Sequence, residues 1–148
     1  MSRFAFGVVL LFLAVPAAGQ DAKKDVETIQ GTWDLVAFVI NGRDRLEDKI
    51  EIQMTFKDDK MVLIFAQDKK EERHELTFKL DPTRKPKTID VTALEGPYKG
   101  KTVGGIYQLD GDALKMCIPN EPGKDRPKEF ASKEGSDVAL FTLKRAKP

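Results

Sequence analysis

Ile50-Glu51-Ile52-Gln53-Met54-Thr55-Phe56-Lys57 alternates apolar and polar residues without a slip. Successive side chains of a strand point to opposite faces, so the octet reads as a strand with one buried face and one wet face. Asp58-Asp59 then turns the chain into Met61-Val62-Leu63-Ile64-Phe65, a continuous apolar run expected to be covered on both faces. Upstream, a first strand over residues 32–40 opens with Gly31-Thr32-Trp33 and stops at Asn41-Gly42, a strong hairpin pair. Between the two, Arg43 to Lys49 reads as a charged connection with only Leu46 apolar.

Downstream the pattern repeats. Leu76, Phe78 and Leu80 alternate with Glu75, Thr77 and Lys79, and Asp81-Pro82 through Pro86 forms a stiff loop. Further strands are expected over residues 88–93, 102–109, 113–118 and 138–143. Gly104-Gly105 inside one of them predicts a bulge or a sharp bend. Asp21 to Gln30, polar with Val26 and Ile29 three apart, predicts a single helical turn able to lid one end. Eight short strands with almost no helical period imply an all-β domain, an eight-stranded antiparallel up-and-down barrel, because closure removes both exposed edges. An eight-stranded interior is either filled by side chains or just able to hold one small ligand.

The N-terminus is read separately. Met1-Ser2-Arg3, an apolar run from Phe4 to Val15 and the small residues Pro16-Ala17-Ala18-Gly19 have the layout of a secretory signal peptide over residues 1–19. The alternative is a retained membrane anchor, but the run is short for a bilayer and polar residues follow it. The expectation is therefore export, to a periplasm or out of the cell, with a single domain over residues 20–148 and no transmembrane segment after cleavage. Without Arg3 the basic residues number 24, equal to the acidic ones, which disfavours nucleic acid as a partner. Cys117 is the single cysteine, so no internal disulfide forms; it reads as a half-buried apolar residue rather than a reactive thiol.

Gly31-Thr32-Trp33 after a helical turn resembles the first-strand signature of lipocalins. That resemblance implies that Trp33 closes one barrel end beneath a basic residue of the last strand, for which Arg145 is the candidate. A more specific likeness covers about residues 30–145. Asp81-Pro82-Thr83-Arg84-Lys85-Pro86-Lys87-Thr88-Ile89-Asp90, Gly100-Lys101-Thr102, Gly105-Ile106-Tyr107-Gln108-Leu109-Asp110-Gly111-Asp112 and Arg126-Pro127-Lys128-Glu129-Phe130 resemble a family of small exported lipocalin-like domains. These occur in many copies in planctomycete-type bacteria. The likeness implies fold and export and brings no catalytic residues with it.

Tempting motifs fail on spacing. Gly96 to Thr102 lacks one residue of a phosphate-binding loop. Asp110-Gly111-Asp112 and Asp58-Asp59 lack the other ligands of a calcium loop, and one His with one distant Cys disfavours zinc. No cofactor is expected. His74 keeps the phase of Leu76, Phe78 and Leu80, with Glu72 two residues back. An imidazole–carboxylate pair at a barrel mouth can hold a polar head group or do acid–base work, and a solvated strand end is the plainer alternative.

Three functions stay open. A binding barrel would take a small apolar or amphipathic molecule, with Met54, Phe56, Met61, Phe65, His74, Phe78 and Met116 lining its interior. The same residues would equally make a filled core, leaving a structural or interaction module of the cell envelope whose surface is the long loop from Pro119 to Gly135. An enzyme would have its site at the mouth near His74, yet no catalytic constellation is recognisable, so the chain reads as a non-enzyme.

Overall fold

In the computed structural model, which describes residues 18–147, the alternating segments become strands. They are β1 (Gly31–Ile40), β2 (Arg43–Asp44), β3 (Glu51–Lys57), β4 (Lys60–Gln67), β5 (Lys70–Asp81), β6 (Thr88–Ala93), β7 (Thr102–Asp110), β8 (Ala113–Pro119) and β9 (Val138–Arg145). A helix, α1 (Ala18–Ile29), precedes them. The expected leader lies outside the described residues apart from Ala18 and Gly19, which begin α1. Among the described residues, no helix is long and apolar enough to cross a membrane.

From β3 to β9 each strand pairs antiparallel with the next. β1 joins β3 on one side and β9 on the other, so eight strands close into a barrel, with β2 appended to the end of β1. The opening octet behaves as its alternation demands: Ile52, Met54 and Phe56 are buried inside while Glu51, Gln53 and Lys57 face water. Around them Phe38 stacks on Phe141 with ring centres 4.8 Å apart, and Phe56 meets Phe78 edge-on at 5.1 Å.

Four local expectations are corrected. The charged connection after Asn41-Gly42 contains a two-residue strand and a 3-10 turn (Arg45–Asp48), because Asn41 and Gly42 both take positive φ and fold the chain back on β1. The run Met61 to Phe65 is not covered on both faces. Met61, Leu63 and Phe65 join the core, but Val62 and Ile64 sit on the outer wall, half-buried, since a barrel has one interior. The bulge is not at Gly104-Gly105, where the β6–β7 register runs without a shift. It lies in β1, where Val36 is squeezed out, 45% exposed, between Leu35 and Ala37. That extra residue lets Trp33 and Phe38, five apart, both face inward. Finally, the single helical turn is a helix of 12 residues.

α1 closes the barrel end where β1 starts and β9 finishes. Trp33 is fully buried there and its indole N–H donates to the Ile29 carbonyl at 2.8 Å. The Arg145 guanidinium lies over the Trp33 ring, 4.4 Å from its centre. It also donates to the carbonyls of Thr28 and Gln30, which the helix end leaves without partners. On the other side, Asp25 of α1 accepts from the Tyr107 hydroxyl at 2.7 Å and from Lys87 Nζ at 2.9 Å.

Burial, with the Asp25 carboxylate beside it, pushes the Tyr107 hydroxyl well above its ordinary range. A raised folded-state value means that the proton is held while the unfolded chain releases its own at about pH 10. Stability is therefore expected to fall as pH rises above about 10, with the unfolded state binding fewer protons. Urea midpoints measured across pH 9–11 should show this slope in the parent, and Tyr107→Phe should flatten it.

The long loop between β8 and β9 does not project. It lies back on the outer wall, where Arg126 donates to the carbonyls of Gly105 (2.7 Å) and Ile89 (3.3 Å) and pairs with Asp90 (2.6 Å). Under it, Ile106 and Cys117, opposite one another on β7 and β8, are buried on the outside of the barrel. The Cys117 thiol reaches the Ala131 carbonyl at 3.5 Å, and burial raises its pKa. Cys117 thus lies fully buried beneath the loop. Releasing the latch with Arg126→Ala is expected to speed alkylation of Cys117 by iodoacetamide about tenfold or more, through local opening rather than global unfolding. An unchanged rate would show that Arg126 does not hold the loop.

Candidate functional site

Strand direction decides which end is open. α1 and the turns after β3, β5 and β7 gather at the Trp33 end. The opposite rim carries the connections after β1, β4, β6 and β8. Here the interior is not filled: a cavity of about 250 Å³ remains, with Met54, Met61 and Phe141 deep inside and Leu63, Leu76 and Val91 as walls. Loops finish the rim, with Tyr98 and Lys101 from the β6–β7 connection and Asn120 and Pro122 from the long loop. The lining is overwhelmingly apolar, and Lys101 supplies the charge at its edge. Tyr98 at 43% exposed and Leu94 at 39% extend the apolar surface outward from the rim.

The interior residues expected from the sequence divide between the two halves of the barrel. Met54 and Met61 line the cavity. Phe65 is not among its walls and instead meets Phe38 edge-on at 6.4 Å. Phe56, Phe78 and Met116 are buried in packed core and do not reach it. His74 keeps its inward phase, since β5 begins at Lys70, but it does not enter the barrel. β6 ends at Ala93 opposite Leu76, so the earlier part of β5 pairs with β4 alone and rises above the rim. There His74 is half exposed, its Nε2 3.4 Å from Glu72 Oε2, an open surface pair of little energetic weight. Trp33 and Arg145 meet at the far end, away from the cavity.

Leu63, Leu76 and Val91 share the inward phase of residues that alternation picks out, so the sequence carried their signal. Tyr98, Lys101, Asn120 and Pro122 had none, because they reach the cavity from loops whose course only the assembled barrel sets. No protein-family model, no curated protein and no solved structure matches this chain. The arrangement is a β-barrel with one lidded end and one apolar cup. Among the described residues, no group of three metal-ligating side chains gathers anywhere.

Proposed function

We propose that the chain is an exported lipocalin-like domain that receives a small apolar or amphipathic molecule in the cup at its open end. The observation that carries this is the 250 Å³ apolar cavity, with one ammonium group at its edge, above an otherwise packed barrel. Ligand pockets run from about 300 to 1,000 Å³, so the cup suits a short molecule or the apolar end of a longer one. Met54 and Met61 give it walls that adapt to different shapes.

Neutral probes test this without drawing on surface charge. Saturating 1-octanol or N-phenyl-1-naphthylamine should stabilise the barrel by about 2.7 kcal/mol at one hundred times Kd. Ala93→Phe, at the cup wall, should abolish that gain while leaving the unliganded stability close to parent. No gain with either probe would favour the other reading, an interaction or structural module of the cell envelope. What supports that second reading is the long loop, fixed to the outer wall by Arg126 as a formed surface.

A further inference from the structure

A second cavity, about 520 Å³, lies on the outside of the barrel and has the opposite character. It runs between the outer face of β5 and β6, the 81–88 turn and the segment around Arg126. Lys79, Arg84, Lys85, Arg126 and Lys128 line it against two carboxylates, Asp81 and Asp90. Both carboxylates are engaged. Asp90 is paired with Arg126 at 2.6 Å; Asp81 accepts from the Thr83 N–H at 3.0 Å and hydroxyl at 2.5 Å, with Arg84 at 3.6 Å. Lys79, Lys85 and Lys128 make no ion pair among the described residues.

Lys79 and Lys85 lie six residues apart, and the fold brings Lys128, 43 residues beyond Lys85, to the same groove. Lys79 sits on a paired strand opposite Asp90, Lys85 in a turn bounded by Pro82 and Pro86, and Lys128 two residues past the latched Arg126. A rigid cleft that gathers like charges in a chain with balanced charge focuses a positive field and attracts anions. Arg126, the natural fork for a planar carboxylate, commits three of its five N–H groups to Ile89, Gly105 and Asp90. The three unpaired lysines, with Arg84 beside them, leave the groove with an excess of positive charge, which suits a group with several oxygens and more than one negative charge.

We propose that this groove binds a polyvalent tetrahedral oxyanion, a phosphate or sulfate group, independently of the cup. The source is either a free ion or an ester carried on a polymer. Calorimetric titration at low ionic strength with inorganic phosphate, inorganic sulfate and dextran sulfate distinguishes the two. At least one is expected to bind saturably, and K79A/K85A/K128A should weaken it about tenfold or more. K57A/K60A/K144A removes the same charge from other exposed positions and should leave the affinity near parent. Binding of the small ions supports a free anion; binding of dextran sulfate alone, with the same loss, supports a polymer-borne ester. Equal weakening by both triple variants, or no binding by any probe, overturns the proposal. All six lysines are exposed, so circular dichroism should report an intact fold in each variant. Ala93→Phe should leave anion binding unchanged, which separates failure here from failure of the cup.

Discussion

Trp33→Ala is expected to lower the free energy of unfolding by about 3–5 kcal/mol. The side chain is 0% exposed and is among the largest fully buried groups in the described barrel. Its removal leaves a void at the lidded end that strands tied into a closed sheet cannot collapse to fill. It also frees the Ile29 carbonyl from its 2.8 Å bond and takes the ring from beneath Arg145. Trp33 is the single tryptophan, so unfolding should be followed by far-ultraviolet circular dichroism rather than fluorescence. Amide exchange in α1 should quicken as well, because the lid loses its central contact. A loss below about 1 kcal/mol would mean that Asp25, Tyr107 and Arg145 hold the lid without the indole.

Gly105→Ala is the second large effect, expected to cost about 1–3 kcal/mol or more. A Cβ at this position would lie 2.7 Å from the Cys117 carbonyl oxygen and 2.9 Å from Ile118 Cγ1. Relief requires β7 and β8 to part, at the point where Ile106 pairs with Cys117. Gly104→Ala is the informative contrast. Its Cβ would meet the Arg126 guanidinium at 2.9 Å, the far end of a flexible side chain that can step aside. It should cost less in urea unfolding yet expose Cys117 to alkylation, as Arg126→Ala does. Equal costs at the two glycines would show the guanidinium to be as fixed as the backbone.

Local pattern and long-range packing account for different parts of this molecule. The strands built on period-2 alternation, such as Ile50 to Lys57 and Leu76 to Leu80, stood where their residues placed them, and a series with no free edge had to close. The Trp33–Arg145 pair was expected only through the resemblance to lipocalins, and the two residues do meet, 4.4 Å apart, where β1 and β9 lie side by side. The glycine pair was read for a bulge or a bend; no bulge falls there, and a glycine in a strand can instead mark a close approach that only the neighbour reveals. Here the neighbours are Arg126 and the Cys117 carbonyl, 22 and 12 residues further along. His74 misled in another way: phase gives the face of a strand but not the height at which the barrel wall stops.

By itself, then, the sequence determined the all-β class, the antiparallel order and the inward face of most strands. Each of these follows from spacing along the chain, because a strand's side chains alternate whatever packs against them. The tertiary structure alone decided which end stays open, how much room Met54, Met61 and Phe141 leave, and that Cys117 is buried on the outside. It also decided that Lys79, Lys85 and Lys128 share a groove. These are matters of residual volume and of which wall a long loop settles on. Both are set by contacts between residues far apart in sequence, where no local period speaks.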